Sequence, residues 1–243
     1  MADAAGAHPQ PPLWLAARRG EIDNLKHCLE QEMDINERGG PRQSSPLYEA
    51  ALANQEEVVK LLLKRGADVD SRDHQYNLHH MAVMHWIIYR NVLSMLCIFL
   101  EEGVDPSPRE RRGWTPLHFT ADNRVTGCAQ MLLLLEKGAD VDAQTDLGTT
   151  VLHRAVENAS ATMVRLLIYK GADVELETND GQTAEDIATA NGNVQIAVKL
   201  RAEAERLRVR RVAFAMGLHD RLGAGSIVQR LDPGVLRIVL QRR

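Results

Sequence analysis

The chain has 243 residues, 44% of them apolar and 26% charged, a globular balance that excludes a mainly disordered polypeptide. Aromatic residues make up only 4%, and Leu, Ala, Val and Ile dominate the apolar set, which is the mixture of stacked helices with small side chains where they meet. The net charge of −4 hides an asymmetry: residues 199–243 hold 11 Lys and Arg against 4 Asp and Glu, a local +7 that leaves −11 for residues 1–198.

Residues 1–11 lack a basic stretch followed by an apolar one and read as a flexible N-terminus without a targeting signal. The longest apolar runs, such as Val92 to Leu100, are too short for a membrane span, so membrane insertion is not expected. Cys28, Cys97 and Cys128 are an odd number at wide spacing, which suggests neither a disulfide framework nor a zinc finger and fits a reducing compartment, cytoplasmic or nuclear.

Self-similarity starts at about residue 12. Gly66-Ala67-Asp68-Val69-Asp70 recurs as Gly138-Ala139-Asp140-Val141-Asp142 and Gly171-Ala172-Asp173-Val174-Glu175, with looser copies at Gly103-Val104-Asp105 and at Glu32-Met33-Asp34-Ile35-Asn36. Each copy follows a leucine-rich stretch such as Val58 to Leu63 or Met163 to Leu167, so the unit is a helix closed by a residue in the left-handed conformation that glycine reaches without strain. A second anchor opens a helix: Ser44-Ser45-Pro46-Leu47-Tyr48, Gln75-Tyr76-Asn77-Leu78-His79, Gly113-Trp114-Thr115-Pro116-Leu117-His118 and Thr149-Thr150-Val151-Leu152-His153. Thr followed by Pro is an N-cap with a proline at the first helical position.

These two anchors, in register at a period near 33 residues, resemble the ankyrin repeat. The resemblance implies an all-α solenoid of about six helix-turn-helix units, near residues 12–40, 45–72, 75–108, 114–144, 149–178 and 182–202, forming a repeat domain over 12–202. The first unit lacks the Thr-Pro opening and the last carries Glu185 and Asp186 at outer positions, as capping units do. The third unit is irregular: Leu78 to Gly103 spans 25 positions where Leu47 to Gly66 and Leu152 to Gly171 span 19, and the extra six are expected to bulge near His85–Arg90. In the fourth, Leu117 to Gly138 spans 21 positions, and Arg124-Val125-Thr126 replaces the usual Gly-centred turn.

His74, His79, His80 and His85 crowd together and admit an alternative, a metal-dependent enzyme centred on the third unit. Against it, the resemblance gives His79, His118 and His153 a structural place at the fourth position of the opening, where the imidazole bonds adjoining loop backbone, and no carboxylate or Cys completes a tetrahedral set. There is no Gly-x-Ser-x-Gly, and Gly223-Ala224-Gly225-Ser226 lacks the ending of a phosphate-binding loop. The chain therefore reads as non-catalytic, with no cofactor or metal: an interaction module or scaffold for a protein ligand.

A solenoid offers an extended concave wall edged by loop tips. In ankyrin repeats the variable contact positions flank the Gly before the opening and follow the first-helix alanines. Carried over, the loop positions are Arg72, Gln75, Arg111, Arg112, Trp114 and Asp146, and the helix positions are Asp122, Asn123, Glu157 and Asn158, with Val83 and Met84 at the same place in the third unit. Arg and Trp combine large area with a directional polar group and dominate binding energies, which puts Arg111, Arg112 and Trp114 first.

From Val194 to Met216, Arg and Glu alternate with Ala, Leu and Val at helical spacing, an amphipathic helix. A Gly-containing loop and a short helix from Pro233 to Leu240, capped by Asp232, complete a helical appendix over 203–243. Its pattern, Ala213-Phe214, Leu218, Leu222 and Leu231 to Leu236, resembles the SOCS-box-like segment of ankyrin proteins that recruit elongin and cullin, although Leu218 stands where that segment has Cys and Val239 where it has Tyr. That resemblance implies a second functional reading, a substrate-recognition adaptor whose residues 210–243 dock a ubiquitin-ligase component. The same apolar residues would otherwise cover the flank of the last unit. Interspersed glutamates and the lack of stacking aromatics argue against nucleic acid as a partner.

Overall fold

The computed structural model describes residues 11–69, 83–110, 112–123 and 126–215. Twelve helices lie among them, in six consecutive pairs. The first of each pair are α1 (Leu13–Arg19), α3 (Pro46–Leu52), α5 (Val83–Tyr89), α7 (Pro116–Thr120), α9 (Val151–Glu157) and α11 (Ala184–Ala190). The second are α2 (Ile22–Glu30), α4 (Glu56–Lys64), α6 (Leu93–Glu101), α8 (Gly127–Glu136), α10 (Ala161–Tyr169) and α12 (Val194–Ala215). The first helices stack one on the next from α1 to α11, and α4, α6, α8, α10 and α12 form a second row, the two-layer helical solenoid that the repeat implies.

Each first helix starts where its sequence supplies a cap. The Thr150 hydroxyl accepts from the His153 backbone N–H while His153 Nδ1 accepts from the Thr150 N–H at 3.1 Å, closing a capping box. Thr183 and Asp186 do the same at α11, and Ser45 caps α3 ahead of Pro46. The turn between the helices of a pair needs a left-handed residue, met by Asn54 and Asn91 (φ 57° and 64°), which tolerate it, and by Ala159 (φ 53°), which pays about 1 kcal/mol for its Cβ. One continuous core of Leu, Ile, Val, Met and Ala runs from Leu13 to Leu200, with pairs such as Ala16-Ala17 and Ala50-Ala51 buried where first helices cross.

The third unit corrects the sequence register. His85, fully buried, sets its Nε2 3.2 Å from the Trp114 carbonyl. His118 stands 3.1 Å from the Thr149 carbonyl and His153 3.2 Å from that of Gln182 in the same way. His85, not His79, is thus the third unit's fourth-position histidine; His79 lies outside the described residues. Met84 then takes the leucine position, and Met84 to Gly103 spans the regular 19 positions. No bulge occurs at His85–Arg90: α5 is continuous to Tyr89 and turns at Asn91. The additional length precedes α5, where Gly66 to Met84 spans 18 positions against 14 from Gly103 to Leu117.

At the irregular fourth turn, buried Gln130 of α8 accepts from Asn123 Nδ2 at 3.2 Å and donates to the Ile88 carbonyl at 3.3 Å. The Thr126 hydroxyl donates to Asn91 Oδ1. The turn is therefore tied to the unit before it. At the C-terminal end α12 continues unbroken through residue 202, so the last unit and the start of the appendix share one helix.

Candidate interaction surface

The residue after each fourth-position side chain lines the row of first helices: Glu49, which is buried, and Trp86, Phe119 and Arg154, which are partly exposed, in units two to five. Arg154 is the hub of this row. Its Nη2 lies 2.6 Å from Asp122 Oδ1 of the preceding unit and its Nη1 2.8 Å from Glu157 Oε2. Its guanidinium sits 5.1 Å over the Trp114 indole, which packs on Phe119 at 5.2 Å and His118 at 5.7 Å. Asn158 Nδ2 donates to Asp122 Oδ1 at 2.9 Å and to the Ala121 carbonyl at 3.0 Å. Three positions named from sequence, Trp114, Asp122 and Glu157, meet an arginine that sequence reasoning missed, and a fourth, Asn158, joins through Asp122. The available signal was the helical spacing of Arg154 and Glu157, one turn apart.

Asn123 turns its amide to Gln130 of the second row instead of joining this cluster. Arg112 and Asp146 belong to a ladder of loop tips: Asp146 N–H donates to the Arg112 carbonyl at 3.0 Å, and Asn179 N–H to the Leu147 carbonyl at 2.9 Å. Both side chains are exposed, and Leu147, next to Asp146 in the chain, is 71% exposed. Arg72, Gln75 and Arg111 lie outside the described residues, as do residues 216–243, which carry most of the SOCS-box-like pattern.

The register change moves the third unit's contacts. Val83 and Met84 are buried, because they are the second and third residues of the opening and face the core. Tyr89 and Arg90 take their place after the paired Ile87 and Ile88. Tyr89 is 71% exposed, and Arg90 lies 5.2 Å over the Trp86 ring, itself 6.3 Å from Tyr48. In the second unit Glu49 is buried: its Oε1 accepts from Ser44 Oγ at 2.6 Å, and Arg18 and Arg42 approach the carboxylate at 3.8 Å. The row thus changes character along the solenoid, from a buried carboxylate through stacked aromatics to a held guanidinium.

The histidines beneath are structural. Burial pushes His118 down to about 4 and also lowers His153, so both are neutral at pH 7. Neutrality is what their bonding requires, since Nδ1 accepts from the capping Thr N–H and Nε2 donates to the next unit's carbonyl. Among the described residues no group of His, Cys, Asp and Glu is arranged to hold a metal ion, and no helix is long and apolar enough to cross a membrane.

A family model described as ankyrin repeats (3 copies) matches residues 3–73, 80–178 and 133–207. Over 152 residues, 60% of the chain, the sequence is 33% identical to the nuclear factor NF-kappa-B p105 subunit of Gallus gallus, covering 15% of that protein. It is 32% identical to the NF-kappa-B inhibitor delta of Mus musculus over 177 residues, 63% of this chain and 50% of that one. The chain thus spans at most half the length of these relatives. Its fold is similar to the crystal structure of an ankyrin repeat domain from Acinetobacter baumannii AYE, with a TM-score of 0.68 and 26% identity over 79% of this chain and 97% of that one.

Proposed function

We propose that this chain, which belongs to the ankyrin-repeat family, is a non-catalytic recognition module that binds a protein ligand across the first-helix row of units three to five. The observation that carries this reading is the Trp114–Arg154 cluster: an arginine and an aromatic, the residue types that anchor protein interfaces, held in one geometry before any ligand arrives. A side chain already fixed loses little rotamer freedom on binding, so its desolvated area converts into affinity more fully. Tyr89 of unit three and Leu147 of the loop before α9 add exposed apolar area. A relative named as an inhibitor of NF-kappa-B supports a protein as the ligand class. The non-catalytic reading is supported by His85, His118 and His153, all committed to loop carbonyls. Free cysteines at positions 28, 97 and 128 support a reducing compartment, cytoplasmic or nuclear.

The test is affinity capture with quantitative mass spectrometry, comparing the intact chain with Trp114→Ala/Arg154→Ala. Specific partners should fall by about ten-fold or more with the double variant. An unchanged partner list would place the binding surface elsewhere, and an intact chain that retains nothing specific would defeat the reading.

A further inference from the structure

A second surface lies on the other row, between α10 and α12. The two helices and the loop at Gly171–Asp173 enclose a groove of about 830 Å³. Its apolar part is formed by Ile168, Leu207 and Tyr169, the last 82% exposed although it is a large ring. Both helices line it with cations: Arg165 from α10, and Lys199 and Arg210 from α12.

The charges divide into spent and unspent. Arg211 of the groove is paired with Asp173 and Glu175, and Arg206 with Glu203. The third lining carboxylate, Asp142, accepts the Asp173 backbone N–H at 2.8 Å. Among the described residues Arg165, Lys199 and Arg210 have no ion-pair partner, so the unspent charge is positive. We propose that this groove receives an acidic peptide segment of a partner protein, with carboxylates on Arg165, Lys199 and Arg210 and an apolar side chain on Ile168, Tyr169 and Leu207.

Charge complementarity selects that occupant over the others. The chain's own residues 216–243 carry five Arg against two Asp, the same sign as the groove, so they are not its complement. An extended polyanion such as nucleic acid meets the −11 of residues 1–198 beyond the groove and the carboxylates within it. A short acidic peptide meets only the local positive field, and its amide N–H groups can face those carboxylates.

Fluorescence anisotropy on the full chain tests this with a fluorescein-labelled Glu-rich peptide containing one Leu, the same peptide with Lys for Glu, and a single-stranded oligonucleotide. The Glu peptide should bind, the Lys peptide should not, and Arg165→Gln/Lys199→Gln/Arg210→Gln should weaken Kd by about ten-fold. Tyr169→Ala should weaken it by about three-fold through lost apolar area. Trp114→Ala should leave it unchanged, which separates this groove from the first-helix surface. The triple variant removes only exposed, unpaired charges and should keep the intact chain's melting temperature. No binding of the Glu peptide, equal binding by the triple variant, or tighter binding of the oligonucleotide would each overturn the proposal.

Discussion

Neighbouring units are joined by different chemistry in the middle of the solenoid and at its C-terminal end. In the middle, His118 and His153 are buried and neutral, and each donates from Nε2 to a carbonyl of the next unit. At the end, α12 buries Ile196, Ala197 and Leu200 in the core and adds exposed ion pairs to the body: Arg208 to Glu175 at 2.8 Å, Arg201 to Glu185 at 2.6 Å, and Arg211 to Glu175. One backbone architecture therefore has two sensitivities. The imidazole joints of the middle tolerate salt and fail when they are forced to take a proton; the ion pairs of the end tolerate mild acid and weaken when their charges are screened.

Acid gives the largest expected separation of the two. His118 has an ordinary value of 6.5 and a folded value of about 4 set by burial, so between these pH values the unfolded chain binds a proton that the folded chain refuses. Its contribution is complete above the unfolded value and is lost as pH falls toward the folded one, on the order of 3 kcal/mol for this residue alone. His153, lowered by the same cause, acts in the same direction. Urea midpoints measured from about pH 7 to about pH 4.5 should fall steeply in the intact chain and less steeply in His118→Asn. Identical slopes in the two proteins would show that His118 does not set the acid sensitivity of the middle.

His85 extends the comparison to the third unit, where the effect should be smaller than the full acid titration. His85→Ala removes the bond to the Trp114 carbonyl, which keeps the Glu110 N–H as its donor, and the edge-to-face packing on Phe119 at 5.6 Å, and leaves a cavity where a fully buried ring stood. A loss of about 2 kcal/mol in urea unfolding is expected. A loss below about 0.5 kcal/mol would mean that the His85 bond contributes little to the joint between units three and four.

His85 also shows how far the sequence could be read. The family was legible because a capped start and a left-handed stop, each with a local physical cause, recur in register. The third unit misled because Leu78-His79 imitates the Leu-His of the opening, whereas Met84-His85 has neither Thr nor Pro before it. The 19-position interval to Gly103 was the better guide, since helix lengths are fixed by stacking and loop lengths are not. In the candidate surface, Trp114, Asp122, Glu157 and Asn158 were legible from their places in the repeat. Arg154, Tyr89 and Arg90 were not: the first is not among the contact positions carried over from the repeat, and the others depend on the corrected register. The basic excess after residue 199 was visible in the sequence, but its meeting with Arg165 and Tyr169 required the packing of α12 on α10.

The smallest expected effect isolates the ionic end. Arg208 and Arg211 hold the Glu175 carboxyl below its usual range, the hydrogen bond from Arg208 contributing most. Because both arginines are more than half exposed, the pairs are screened and the net stabilisation is small. Glu175→Gln should cost about 0.5–1 kcal/mol at low ionic strength and nearly nothing at about 1 M salt, where the Debye length shrinks to about 3 Å. A salt-independent loss would mean that Glu175 acts through packing or hydrogen-bond geometry, and the ionic half of the comparison would fall. A salt-dependent loss bears on the groove: Glu175→Gln releases Arg208 and leaves Arg211 with Asp173 alone, which makes the field around Arg210 more positive, so the same variant should bind the Glu peptide at least as well as the intact chain while being less stable.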